Sequence, residues 1–254
     1  MRRREGGSST AWETRDGTVS GIRDYAGRDL EAMSSAVRYH RDILSIFSPY
    51  LGDRILEVGA GTGNISKLIL ERQPSHLYTV EPSDGMYELL RERLRGNLNA
   101  SVHHSLLSGF MEAGHAAEVD SVVSVNVLEH VRDDVAELEL MRTVLRPGGH
   151  LCLWVPALPA LNSRFDRSLG HFRRYRKRDL TRKLEQTGFV PVQVTYRDIV
   201  GMLAWFVVCR LLRQELSPGK VSIYDRLVMP VTGFCGRWLN PPVGKNLVAI
   251  ARRP

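Results

Sequence analysis

The stretch RILEVGAGTGNIS, residues 54–66, decides the fold. Its first half is apolar apart from Glu57, and it runs into three glycines, Gly59, Gly61 and Gly63, ahead of a helix-forming run. An apolar run, then glycines, then a helix reads as a strand, a tight loop and a crossover. Glycine tolerates φ > 0 and, lacking a Cβ, lets a ligand touch the backbone. In an open α/β sheet this unit puts backbone N–H groups and a helix N-terminus at the carboxyl end of a central strand, where such sheets bind ligands. A nucleotide-like cofactor suits the place.

The alternation continues outward from that stretch. HLYTVE reads as a strand and DGMYELLRERLRG as a helix. SVHHSLL is a weak strand, and VDSVVSVNVLEHV an apolar strand that turns at its end. DDVAELELMRTVL is a helix, RPGG a turn and HLCLWVPA a further strand. RDLTRKLEQTGF then reads as a helix, and VPVQVTYRDI and KNLVAIARR as the last two strands. Apolar strands separated by helices predict an α/β, doubly wound sheet that is mostly parallel and covered on both faces, with right-handed crossovers. Roughly forty residues separate the last two strands, too many for a simple connection, so a helical insertion is expected there. Upstream, Leu30, Met33, Val37, Ile43, Leu44 and Phe47 recur at near-helical spacing, and Pro49 ends that helix.

The whole chain of 254 residues suits one large domain. Residues 1–28 are expected to be a flexible segment, and 29–254 a single domain. Within it, 29–160 would bind the cofactor, and 161–188 and 199–242 would form a lid and cap over the substrate. The basic first residues are followed by no apolar h-region, so secretion is not expected. Cys152, Cys209 and Cys235 are far apart and odd in number, which argues for a reducing cytoplasm and against a disulfide framework or a zinc cluster. The longest uncharged apolar run, residues 199–209, is too short for a bilayer, which takes about 20 residues. Thirty-five basic residues against 28 acidic ones leave a net charge of +7, with base concentrated in residues 163–184. That local charge suits an anionic partner, or else a solvated face.

The glycine pattern discriminates between cofactors. The dinucleotide fingerprint needs glycine or alanine where this chain has Asn64, and no phosphate-loop motif is present. Glu81 closes the second strand, where a carboxylate can accept hydrogen bonds from both ribose hydroxyls. LEVGAGTGN, YTVEPSDGM, VVSVNVLEHV and LRPGGHLCLWVPA, in that order, resemble the class I, Rossmann-like S-adenosylmethionine-dependent methyltransferases over about residues 35–160. The resemblance implies a seven-stranded sheet with the last strand antiparallel, and S-adenosylmethionine as cofactor. It places Gly59, Gly61 and Gly63, with Asn64 beside them, around the methionine part. Glu57 acts through the loop and the amino group, and Glu81 holds the ribose. Pro82 and Met86 flank the adenine, and Asn126 lies beneath the amino-acid end. Where the family often has an acid after the third strand, this chain has Ser105 and Leu106, so the adenine would depend on backbone and hydroxyl contacts. N-terminal arms close over the cofactor in this family, so Tyr25, Tyr39 and His40 are candidates; Tyr39 suits core packing equally.

Methyl transfer needs alignment and dryness first, and a general base when the acceptor is a hydroxyl of high pKa. His130, in the LEH run after the fourth strand, and His171 are the candidate bases, with Asp166 pairing with His171 to orient it. The LEH run also occurs in related quinone O-methyltransferases. Asn126 stands here where a further acid would favour a metal, so no metal is expected. FDRSLGHFRRY, residues 165–175, resembles a GHxRRY segment in a bacterial branch of the family and is expected over the pocket mouth. Arg173 and Arg174 there can clamp a phosphate or carboxylate, with Tyr175 and Trp205 as further substrate contacts; an internal salt-bridge network is the competing reading. The apolar run after residue 199 stays open between substrate pocket, homodimer contact and peripheral membrane surface. The leading expectation is methylation of a small or amphiphilic acceptor in the cytoplasm, on oxygen, in natural-product, quinone or glycolipid metabolism; an anionic head on it would suit the basic lid. An RNA or protein methyltransferase is the first rival, although no nucleic-acid module is visible. A cofactor-binding cyclase or scaffold on the same fold is the second.

Overall fold

The computed structural model describes residues 36–115, 118–205 and 241–254, and at 203–205 the backbone alone. Helix α1 (Val37–Phe47) leads through a 3-10 turn containing Pro49 into β1 (Arg54–Val58). Then follow α2 (Asn64–Leu70), β2 (His76–Val80), α3 (Asp84–Arg93), β3 (Ala100–His103), α4 (Leu107–Glu112), β4 (Val119–Val125), α5 (Asp134–Val144) and β5 (Leu145–Pro156). The second half adds α6 (Arg164–Ser168), α7 (Lys177–Gln186), β6 (Val190–Arg197), α8 (Ile199–Trp205) and β7 (Asn246–Arg252).

The seven strands form one sheet in the order β3-β2-β1-β4-β5-β7-β6. Strands β3 to β5 pair in parallel, and β7 runs antiparallel to both β5 and β6. The chain winds outward from β1 to β3 and returns to β4 on the other side of β1. The carboxyl ends of β1 and β4 therefore flank a topological switch point, the place where such sheets open a crevice for ligands.

Strand alternation divides the core between the two faces. Ile55, Val123, Cys152, Trp154 and Val248 meet Tyr39, Ile43 and Phe47 of α1 and Ile65 and Ile69 of α2. Leu56, Val122, Leu151, Leu153 and Ala249 pack on the opposite side with Leu138 and Met141 of α5 and Leu180 and Leu184 of α7. Neighbouring residues such as Ile55 and Leu56 point to opposite faces because the strand repeats every two residues. Ile43 and Phe47 are fully buried, and each stabilises the fold by about 1.5–3 kcal/mol.

Two local expectations are revised. The RPGG turn lies inside β5: pairing with β4 jumps from Val119↔Leu145 to Ser121↔His150, so the segment bulges out of the ladder. Gly148 takes φ +81° there, and a Cβ on Gly149 would come within 2.9 Å of the Asp120 carbonyl oxygen. The weak third strand stops at His103, and Leu107 already begins a helix. Helix α8 opens the insertion between the last two strands; residues 206–240 of the expected cap, the first 35 residues and Tyr25 lie outside the described residues.

Candidate functional site

The glycine loop caps the carboxyl end of β1. Gly59, Gly61 and Gly63 have φ of +68°, +56° and +79°, and the first is also sterically closed: a Cβ there would lie 2.4 Å from Val127 Cγ2. Gly59→Ala combines left-handed strain with overpacking, so it should lower stability by about 2–4 kcal/mol in chemical denaturation. A variant as stable as the parent chain would contradict this packing.

The loop is fastened to β2. The N–H groups of Gly59 and Ala60 donate to the Val80 carbonyl at 2.9 and 3.2 Å. Gly61 N–H donates to Glu81 Oε2 at 2.7 Å, and Ser83 N–H to Oε1 at 3.0 Å. Burial raises the Glu81 pKa against those two hydrogen bonds. Glu57 lies behind the loop with Ser66 Oγ donating to Oε2 at 2.5 Å. Burial pushes Glu57 up to about 8 against that hydrogen bond, with the Glu81 charge adding to the rise.

The other expected cofactor residues gather on the same side. Asn64 opens α2, donates to Thr62 Oγ1 at 3.3 Å and accepts from Arg93. The Pro82 carbonyl accepts from His104 Nε2 at 3.2 Å, and Met86 is buried on α3. Leu106 caps α4, and Ser105 Oγ is buried with no hydrogen-bond partner among the described residues. Asn126 holds φ +54° as β4 ends, its N–H donating to the Trp154 carbonyl at 2.8 Å. Tyr39 accepts from Trp154 Nε1 at 2.8 Å, and the two rings meet edge-on. Sequence reading missed Trp154. Its only signal was an aromatic amid small and aliphatic residues near the end of β5.

A nucleoside cofactor fits this cradle. The left-handed glycines keep side chains out of it, a carboxylate stands at the loop, and the Ser105 hydroxyl has no described partner, as an unmade contact to a base would leave it.

A second constellation lies where β4 ends. A 3-10 turn, Leu128–His130, presents Glu129 and His130. The segment after β5 returns over it, with Phe172 N–H donating to the Glu129 carbonyl at 2.8 Å. Its anchor is Asp166, fully buried in α6. Ser163 and Asp166 form a capping box, for which the S-x-x-D pattern was a readable signal. Asp166 Oδ1 accepts from His171 Nδ1 at 3.2 Å and from Arg174 at 2.7–2.8 Å. Burial pushes the Asp166 carboxyl up, but the hydrogen bonds from His171, Ser163 and Arg174 outweigh it and hold the group well below the ordinary carboxylate range. The His130 and His171 rings meet edge-to-face with centroids 4.6 Å apart. Burial, then His171, pushes His130 down to about 3, so its imidazole is neutral. Burial pushes Glu129 up to about 7, with the His171 charge opposing.

The structure thus brings the three candidate catalytic residues together, and it gives the candidate substrate clamp a different surrounding. Arg174 has a side chain only 1% exposed and pairs with Asp166. Arg173 pairs with Asp134 at 2.9 Å and donates to the Arg132 carbonyl. Tyr175 donates to the Leu128 carbonyl and to Asp134, which Lys183 also reaches. These groups pin the lid to the core because buried carboxylates draw them inward. Trp205 ends α8, and its side chain lies outside the described residues.

Comparison with known proteins adds the following. A family model for a methyltransferase domain matches residues 28–194. An O-methyltransferase, rstn1, of Aspergillus nomiae is 29% identical over 66% of this chain and 79% of its own length. A ubiquinone biosynthesis O-methyltransferase of Dinoroseobacter shibae is 29% identical over 50% of this chain, which spans about half (48%) of that relative. Among solved structures, an S-adenosylmethionine-dependent methyltransferase of Thermotoga maritima superposes with a TM-score of 0.62 at 15% identity, over 92% of this chain and 98% of that one.

Proposed function

This chain belongs to the methyltransferase-domain family and uses S-adenosylmethionine, and from that premise we propose that it methylates an oxygen of a small or amphiphilic acceptor of natural-product, quinone or glycolipid type. When bound, S-adenosylmethionine supplies a methyl group already activated on a sulfonium. Gly59, Gly61, Gly63, Asn64 and Glu57 would hold its methionine part, Glu81 its ribose, and Pro82, Met86, Ser105 and Leu106 its adenine. Asn126 and Tyr39 would support the amino-acid end.

The chain's own work is to align the acceptor, exclude water and manage a proton. The observation that carries the oxygen acceptor is the Asp166–His171 pair. An imidazole whose Nδ1–H donates to Asp166 offers Nε2, in its uncharged form, as an acceptor for the proton of a hydroxyl. Arg174 stops Asp166 from taking that proton itself, because it holds the carboxylate in its charged form. The two named O-methyltransferase relatives support the same reading.

His171→Ala should lower turnover by about 10²–10⁴-fold while cofactor affinity stays within a few-fold. His130→Ala should cost much less if an unligated His171 is the base. Equal, mild losses in both would remove the base and leave positioning alone. The reading itself is tested by incubating the purified chain and S-adenosylmethionine with a panel of hydroxylated acceptors. The methyl ether and the demethylated cofactor are followed together by mass spectrometry. Demethylated cofactor that accumulates only with amines, protein or RNA would overturn the oxygen acceptor. An acceptor rearranged with no cofactor consumed would point to a cyclase instead. No helix among the described residues is long and apolar enough to cross a membrane.

A further inference from the structure

We propose that Glu129, His130 and His171 form a binding site for a divalent transition-metal cation of the zinc type, open at a fourth position toward the acceptor. One ligand atom from each residue lies within 4.8 Å of the others. A tetrahedral site with metal–ligand distances of 2.0–2.2 Å holds its donors about 3.4 Å apart, so modest side-chain rotations complete it. Two imidazoles and one carboxylate, with a vacant fourth place, are a donor set that zinc accepts in catalytic sites.

Three features of the geometry point to a cation. Glu129 is fully buried, and neither carboxylate oxygen accepts a hydrogen bond from another described residue. A buried carboxylate left that way is costly, and a cation offsets the cost. His171 has its Nδ1 against Asp166, the carboxylate–histidine arrangement that fixes the tautomer and directs Nε2 toward a metal. The His130 ring meets the His171 ring with centroids 4.6 Å apart, which brings the second imidazole to the same place.

Protein contacts, not the cation, set the spacing of the two halves. Phe172 N–H holds the lid to the Glu129 carbonyl, one residue beyond His171. The expectation of no metal rested on Asn126 replacing an acid in the local run. The third donor comes instead from the lid, a pairing that local spacing does not show. The site itself is independent of which acceptor is methylated. With a cation bound, Nε2 of His171 would be a ligand and not the base, and the cation would supply the polarisation of the acceptor oxygen in its place.

The test uses the tag-free full chain, stripped with chelator and titrated with Zn²⁺ by calorimetry and with Co²⁺ by visible absorption. About one equivalent should bind, with d–d bands of four-coordinate cobalt. Glu129→Gln, His130→Ala and His171→Ala should each weaken binding at least tenfold, and Asp166→Asn by about 10–100-fold. Circular dichroism identifies any variant that fails to fold, and the parent chain's titration decides the matter without it. No stoichiometric uptake by the parent chain would overturn the site, as would uptake unchanged in every folded ligand variant. Metal content also separates this inference from the base reading: a cation predicts that His130→Ala and His171→Ala lose turnover together, and that chelator mimics them. Binding of S-adenosylhomocysteine, measured on the same samples, reports the cofactor site separately.

Discussion

Asp166→Ala is expected to destabilise the protein by about 3–5 kcal/mol, the cost of stranding a buried charge. The stranded charge is Arg174, whose side chain is almost wholly enclosed and whose Nε and Nη2 both donate to Asp166 Oδ1. Its bond to the Ala157 carbonyl, at 3.1 Å, remains after the change. The same substitution removes the acceptor for the Ser163 amide and hydroxyl, at 2.7 and 2.6 Å, and so undoes the cap of α6. Asp166→Asn keeps the shape and loses the charge, so it should fall between the two. Urea denaturation measures both. A loss below about 1 kcal/mol would show that the network does not hold the lid.

The pH dependence has a definite sign. The Asp166 carboxyl lies below its ordinary value of 3.8 in the folded chain. Its contribution is therefore complete above that value and is lost as pH falls through the folded-state value. The stability gap between parent and Asp166→Ala should narrow on acidification below about pH 4. A gap that widens there would contradict the ion pair.

The second large effect is on cofactor affinity. Glu81→Ala should weaken S-adenosylhomocysteine binding by about 1.5–3 kcal/mol, roughly 10–150-fold, the scale of a charged hydrogen bond. Glu81 is placed to act twice. Its two oxygens tie down the Gly61 and Ser83 amides, which fixes the loop. Each carboxylate oxygen also has lone-pair capacity beyond the one amide it accepts, which leaves room for ribose hydroxyls. Glu81→Gln keeps one amide acceptor and should lose less. Calorimetry beside a thermal melt separates a lost contact from a lost fold. An unchanged affinity in a folded Glu81→Ala chain would remove Glu81 from the ribose site.

The glycine loop was legible because its signals are local. A strand, a glycine turn and a helix occupy consecutive residues, and the positive φ of Gly59, Gly61 and Gly63 is the property that selected glycine there. Glu81 could be placed because it ends the strand next to β1. The GHxRRY segment was legible only as a cluster of polar side chains. Its sequence left a substrate clamp and an internal network equally open, and the structure shows Arg174 against Asp166, with Arg173 and Tyr175 against Asp134.

By itself the sequence determined the α/β alternation, the glycine loop and the acid beside it, because backbone geometry and burial write these with a period of two or 3.6 residues. Only the tertiary structure decided which distant groups meet: Tyr39 with Trp154, Asp134 with Lys183, and Glu129 with His171. Those partners lie on separate elements of the wound sheet. Their approach follows from the order in which strands pack, which no local run of residues encodes.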